Sequence, residues 1–382
     1  LIFTSFHTLV IGAGIVGCSI AHSLAERGIK DIAILERERV GSGSTSASLG
    51  GFRHQFMEPI FVEMTKEGVK FLEKLPEIAQ INPFIKKDGY VLLASTQQTK
   101  QALKQMLVML KGLGVKAEWL ESETLSQMFP FYRFDEVLGG TFCAEDGHAL
   151  TSSLLQAYLK RSKEFGVKLF EHTEVTALLT QNGRVKGVLT NRGEFQAKNV
   201  VIACGAYSGE LGKRFGIEIP VYPVPRKVIV VKGAESIPRN IPLIVDLDLK
   251  LAVGIEGNGV LIALNESPSE ATFECKFDFG YDEKTIHLAL LRIPALFDAK
   301  VLYSVCGLYE MTPDTYPIIS SIPPYEGLFC CAGFCGHGFM HSRAAGELMA
   351  ELITGSRPHL DIKKFCIERF THPSETRKDI VI

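Results

Sequence analysis

The hydrophobic pattern opens with a short apolar run at residues 8–11 and then changes period. Ile15, Val16, Ile20 and Leu24 recur at helical spacing, Gly28 stops that helix, and residues 32–35 form a second apolar run. Strand, helix and strand joined this tightly predict a right-handed βαβ unit, its two parallel strands buried on both faces. A longer helix follows, with Phe61, Met64, Phe71, Leu72 and Leu75 on one side. Thr96 reads as the N-cap of another, which turns Leu103, Met106, Leu107 and Leu110 inward and ends near Gly112. Thr151 is expected to cap a helix carrying Leu154, Leu155, Tyr158 and Leu159, with Gly166 at its end. Three strands are then predicted, at 174–180, at 185–190 and from Phe195, with turns at Asn182-Gly183 and Arg192-Gly193. Residues 199–203 are apolar and lead into Gly205.

From 220 to 305 the pattern becomes strand-rich: 228–231, 243–245 and 260–264, then a helix near 282–292, which suggests a mixed or antiparallel sheet. The last 80 residues return to strand, Gly-rich loop and a helix ended by Gly355. The arrangement reads as interleaved. Residues 1–85, 142–217 and 300–382 form a nucleotide-binding domain, and 86–141 with 218–299 form a substrate domain. A length of 382 residues accommodates two or three domains.

Composition narrows the classes. Lys plus Arg total 41 against 43 Asp plus Glu, a net charge of −2, so nucleic acid is not the expected partner. Hydrophobic residues make up 46% and charged ones 22%, which excludes a disordered chain. Residues 8–21 are uncharged but Gly-rich and too short to span a bilayer, and no Lys or Arg precedes them as in a signal peptide. Nine cysteines without a CxxC pair predict reduced, mostly buried thiols in a cytoplasmic protein that binds no metal.

Gly12-Ala13-Gly14-Ile15-Val16-Gly17 is a GxGxxG between the first strand and its helix. Gly12 permits the tight turn, Gly14 lets backbone approach a pyrophosphate, and Gly17 lets the helix pack on the sheet. Phosphates would sit on the unpaired N–H groups at the helix start. Glu36 ends the second strand 19 residues after Gly17, the place for a carboxylate on the adenosine ribose hydroxyls. Arg37 follows it, and Gly43, Ser44, Thr45 and Ser46 form a small hydroxyl-rich loop able to wrap the pyrophosphate from a second side. That loop, the turn Ala203-Cys204-Gly205 and the C-terminal Gly-rich loop favour FAD over NAD.

These motifs, with Gly307-Leu308-Tyr309-Glu310-Met311-Thr312-Pro313-Asp314 and Gly333-Phe334-Cys335-Gly336-His337-Gly338-Phe339-Met340, carry a resemblance over nearly the whole chain. The sequence resembles the D-amino-acid oxidase and sarcosine oxidase superfamily of FAD enzymes. It is most similar to the beta subunits of heteromeric sarcosine oxidases and dye-linked L-proline dehydrogenases. The resemblance implies an α/β fold with α+β insertions: a glutathione-reductase-like Rossmann FAD domain interleaved with a mixed-sheet substrate domain. It also implies that Gly336 to Met340 lie over the pyrimidine end of the flavin, that Gly307 and Leu308 approach the ribityl chain, and that Val175 lies on the adenine side. Gly333, Gly50 and Gly51 join the expected cofactor-binding set.

Arg53, just after Gly50-Gly51-Phe52, resembles the arginine that holds a substrate carboxylate, which a guanidinium grips bidentately. Tyr309 falls where the family places an active-site tyrosine. His54, His337 and His341 are expected near the flavin, with His54 and His337 as candidates for proton transfer. The implied reaction is hydride transfer from a small amino acid, a secondary amine such as L-proline or sarcosine, giving an imine. Two departures qualify this. Met340 stands where monomeric sarcosine oxidases have a lysine, and Gly307 stands where they attach FAD through a cysteine, with Cys306 one residue off. FAD is therefore expected to be non-covalent, and partner subunits of a heteromeric enzyme are a possibility. A 2-hydroxy-acid dehydrogenase, an FAD-carrying subunit inactive alone and an NAD-dependent dehydrogenase are the competing readings.

Overall fold

The opening strand is buried because strands flank it on both sides. In the computed structural model, which describes residues 5–233, 235–266, 271–276 and 279–371, Ser5–Ile11 pairs in parallel with Ile32–Leu35 and with Gly193–Ile202. The sheet runs Ile318–Ser321, Leu328–Ala332, Gly193–Ile202, Ser5–Ile11, Ile32–Leu35, Lys168–Phe170, with Arg184–Thr190 and Val175–Gln181 as an antiparallel extension. Helix Ile15–Glu26 crosses between the first two strands and packs on Gly338–Thr354 and Thr151–Glu164, while Pro59–Ile78 packs on the other side of Gly338–Thr354. The apolar residues read from the helical spacing, Phe61, Met64, Phe71, Leu72 and Leu75, are all in that core.

The second sheet has the order Lys300–Met311, Tyr222–Lys232, Gly259–Leu264, Leu251–Glu256, Leu243–Asp246, Tyr90–Ala94, Gly139–Cys143, Ala117–Leu120. Its one parallel pair is Leu243–Asp246 with Tyr90–Ala94, so the sheet is mixed. Its apolar face packs under helix Phe279–Arg292 and includes Val91, Leu93, Ile229, Val253 and Ile262. Within it Arg292 places both Nε and Nη2 on Asp246 Oδ2, at 3.0 and 2.7 Å, and Asp246 is fully buried.

Several sequence expectations shift. Both Gly139–Cys143 and Lys300–Met311 belong to the second sheet, so that sheet crosses the expected boundaries at 141/142 and 299/300. Residues 1–4 and 372–382 of the expected nucleotide domain lie outside the described residues. The runs at Phe195 and 199–203 are one strand, Gly193–Ile202, and the preceding turn is Asn191-Arg192 because Thr190 pairs with Gly193. Thr96 does cap its helix, accepting from the Thr99 N–H at 3.2 Å. Thr151 does not: Leu150 occupies the cap and the Thr151 hydroxyl is buried inside the first turn. The expectation of reduced thiols also fails at one pair, since Cys275 and Cys306 form a disulfide across 31 residues of sequence. Among the described residues, no helix is long and apolar enough to cross a membrane.

Candidate active site

A cavity of about 600 Å³ runs along the junction of the two sheets. One end is built by the GxGxxG turn. Gly12 has φ +104°, and a Cβ there would lie 2.4 Å from the Ala203 carbonyl oxygen, so backbone meets backbone. Helix Ile15–Glu26 starts after Gly14 without a side-chain cap, which leaves N–H groups facing the cavity. One of them, on Ile15, donates to Thr45 Oγ1 at 3.0 Å. Glu36 accepts the Ala13 N–H on Oε2 at 2.8 Å and the Glu38 N–H on Oε1 at 2.9 Å. Each carboxylate oxygen retains capacity for a further donor. Next to it the Arg37 guanidinium lies 3.9 Å from the Tyr207 ring centre, and Tyr207 stacks on Phe273 at 4.5 Å.

The middle of the cavity is closed by the loop 41–48 against the second sheet. Ser44 Oγ donates to the Leu308 carbonyl at 2.6 Å, and a side chain at Gly307 would meet the Ala47 methyl at 2.8 Å. Glu310, two residues on, accepts the Gly333 N–H at 2.9 Å. Burial pushes its carboxyl up to about 7, against the opposing pull of the Gly333 and Phe334 N–H groups.

At the far end helix Gly338–Thr354 begins, with His337 at its cap position. Arg53, 2% exposed, donates from Nη1 to the Gln55 carbonyl, and its Nη2 lies 3.3 Å from His337 Nε2. Its guanidinium carbon sits 3.9 Å from the Phe56 ring centre. Tyr309 backs onto Gly336, and the Arg226 guanidinium lies 5.2 Å from the Tyr309 ring. Burial pushes the Tyr309 and Tyr90 hydroxyls up and the Arg226 guanidinium down. This end thus holds two guanidiniums and two protonated phenols around one space.

Of the candidate site residues singled out from sequence, all but five line the cavity. Gly17 instead packs its helix on the Gly12 carbonyl, and Gly50 (φ +69°) abuts the Ala149 carbonyl. Gly333 supplies its N–H to Glu310 from behind the wall. His54 turns away: its Nδ1 is 2.8 Å from Asp146 Oδ1. His341 is buried beside Thr65 Oγ1 at 3.2 Å. Sequence reasoning did not select Glu310, although it stands inside a quoted motif. Nor did it select Arg226, Tyr90, Tyr207 or the Cys275–Cys306 pair, which also line the cavity.

A family model described as FAD dependent oxidoreductase (DAO) matches residues 7–352. The chain belongs to this family. Glycine oxidase from Geobacillus kaustophilus is 27% identical over 372 residues, covering 95% of this chain and 97% of that protein. Mitochondrial sarcosine dehydrogenase from Mus musculus is 25% identical over 381 residues, but the chain spans only 41% of its length. The crystal structure of L-proline dehydrogenase from P. horikoshii superposes with a TM-score of 0.88 at 29% identity, over 96% of this chain and 98% of that one.

The family's flavin cofactor fits the cavity of this FAD-dependent oxidoreductase by its donor chemistry. A glycine turn without side chains, uncapped helix N–H groups and hydroxyls of the 41–48 loop suit a pyrophosphate. The carboxylate of Glu36 suits ribose hydroxyls, and a second helix start at Gly338 suits an electron-rich ring.

Proposed function

We propose that this chain oxidises a small amino acid bearing a secondary amine, such as L-proline, sarcosine or a related N-alkyl amino acid, with FAD bound non-covalently. The observation that carries the reading is Arg53: a buried guanidinium on the cavity wall, braced by Gln55 and Phe56 and close to His337 at the start of the last helix. A fork held this way binds a carboxylate bidentately and fixes its Cα over one part of the site. Tyr309 and Tyr90 remain protonated and can donate to the carboxylate or accept from the amine. Gly12, Gly14, Ile15, Val16, Glu36, Arg37, the 43–46 loop, Val175 and Ala203 to Gly205 would hold the nucleotide. Gly307, Leu308 and Gly336 to Met340 would hold the remainder. FAD, when bound, supplies the hydride acceptor, and water hydrolyses the imine that leaves. Enclosure of the Arg53 end keeps the carboxylate–guanidinium pair in a low dielectric, where it is strongest.

Two features support non-covalent attachment: Gly307 offers no side chain, and Cys306 is already bonded to Cys275. Of the substrates named for the relatives, sarcosine and proline are secondary amines and support that class, while glycine is a primary amine and supports only an amino-acid substrate. Anaerobic titration with L-proline, sarcosine, other N-alkyl amino acids, D-amino acids and 2-hydroxy acids tests the reading. Bleaching of the oxidised flavin band by secondary-amine amino acids is expected. Arg53→Ala should weaken them about a hundredfold, from two lost charge-assisted hydrogen bonds at about 1.5 kcal/mol each. Bleaching by hydroxy acids alone would overturn the amine assignment. A yellow protein bleached by nothing would instead identify a flavin-carrying subunit that works only with partners.

A further inference from the structure

The buried polar residues behind Arg53 form a connected set. Strand Gly51–Phe52 pairs antiparallel with Gly147–His148, which brings Asp146 next to residues 53–55. Asp146 is fully buried. Its Oδ1 accepts the His54 main-chain N–H at 2.7 Å and lies 2.8 Å from His54 Nδ1, and its Oδ2 accepts Gln55 Nε2 at 2.9 Å. Gln55, also fully buried, donates from Nε2 to the Tyr90 carbonyl at 3.1 Å and accepts from Thr141 Oγ1 at 2.6 Å. The Gln55 main-chain carbonyl in turn receives Arg53 Nη1.

We infer that Asp146 is a positioning residue for Arg53, acting through the His54–Gln55 main chain, and that His54 belongs to this support and not to proton transfer. The inference rests on the reading of Arg53 as the carboxylate anchor. Three N–H donors from two consecutive residues converge on one carboxylate, so the peptide that carries the Gln55 carbonyl has one orientation. That carbonyl fixes one nitrogen of the guanidinium, and His337 stands at the other. Through Gln55 the same set ties Arg53 to the rim of the second sheet, where Tyr90 pairs with Cys143. His54, Cys143 and Asp146 do present ligand atoms within 4.8 Å of one another. Burial keeps the Cys143 thiol protonated, however, and the carboxylate is already occupied by N–H donors, which fits a hydrogen-bonded set better than a metal centre.

Asp146→Asn keeps the shape and replaces one acceptor by an N–H₂ donor. Gln55 cannot compensate by flipping its amide, because its oxygen would then face the Tyr90 carbonyl. The test is a double-mutant cycle on the FAD-loaded full chain, using calorimetric titration with pyrrole-2-carboxylate, a flat carboxylate that resembles proline. The expected result is about tenfold weaker binding for Asp146→Asn, about a hundredfold for Arg53→Ala, and no further loss in the double variant. The flavin content, read at 450 nm, should be unchanged throughout. Thr141→Val, which removes only the hydroxyl on Gln55, should act in the same direction by about threefold and should also lose its effect without Arg53. It serves if Asp146→Asn does not fold. Additive losses in the double variants would overturn the positioning role while leaving Arg53 as the anchor. Full affinity in Arg53→Ala would overturn the anchor itself, and the positioning role with it.

Discussion

Glu310→Gln isolates the cost of a partly buried charge in the cavity wall. The carboxyl group is walled by glycines, with Gly205 and Gly338 each placing a notional Cβ at 3.7 Å from one of its oxygens. Two main-chain N–H groups favour the charge, but burial outweighs them and moves the group from an ordinary 4.5 to about 7. At about 1.36 kcal/mol per pH unit, that rise corresponds to about 3 kcal/mol. The folded group is the weaker acid, so the unfolded chain ionises first as pH rises. Its stability contribution is intact below pH 4.5 and is lost progressively until pH passes 7. Glutamine keeps the shape and one acceptor for the Gly333 N–H but carries no charge. Urea denaturation of the flavin-free protein at pH 5 and pH 8.5, followed by far-UV circular dichroism, measures the difference. The variant should be within about 1 kcal/mol of the parent at pH 5 and about 2 to 3 kcal/mol more stable at pH 8.5. A variant equally destabilised at both pH values would refute the reasoning, since the native carboxylate would then be well satisfied as an anion.

Gly12→Ala should abolish retention of the yellow cofactor on gel filtration, because the added methyl meets the Ala203 carbonyl at 2.4 Å and the backbone sits at φ +104°. A variant that keeps its flavin would contradict that geometry. Asp246→Asn leaves the Arg292 guanidinium buried against a neutral partner and should cost about 3 to 5 kcal/mol of unfolding free energy in urea, with a loss below 1 kcal/mol counting against it. His359 lies between Glu351 and Glu67, both at 2.9 Å, and the hydrogen bond to Glu67 above all raises it to about 9. The support it gives is complete below pH 6.5 and fades as pH rises through 9, by about 1 kcal/mol because the ring is a third exposed. His359→Gln should remove that part of the pH dependence, as read from unfolding midpoints between pH 6.5 and 9.5.

Much of the fold is local and therefore legible. The 3.6-residue spacing of Phe61 to Leu75 and the glycine stops at Gly28, Gly166 and Gly355 need only neighbouring residues to be read. What escaped depends on distant partners. Strand Leu251–Glu256 has a glycine at its centre, which weakens any strand signal. The reason for Gly254 lies across the sheet, where Leu243 Cδ1 would be 2.7 Å from a Cβ. Residues from 300 onward read as a return to the nucleotide-binding domain, yet Lys300–Met311 pairs with Tyr222–Lys232 of the second sheet along its length. Thr151 sits where a cap would be read, but its neighbour Leu150 holds the extended backbone a cap requires.

The candidate site divides along the same line. Motif residues whose job is to bring backbone close, such as Gly12 and Gly14, announce themselves, because few other reasons place three glycines between a strand and a helix. Side chains that complete the cavity from other segments do not. Arg226 reaches Tyr309 because residue 226 pairs with residue 307, and Ser44 closes on Leu308 across 264 residues. The contrast between Arg53 and His54 is the most instructive, since they are adjacent and both carry plausible chemistry. The chain cannot send both side chains into one cavity: Arg53 lines it and His54 is turned onto Asp146. Which of the two faces the cavity is decided by the pairing of Gly51–Phe52 with Gly147–His148 and by the buried carboxylate that this pairing delivers. A histidine beside a functional arginine is therefore best judged by where a buried acceptor lies, and here the acceptor lies behind the wall.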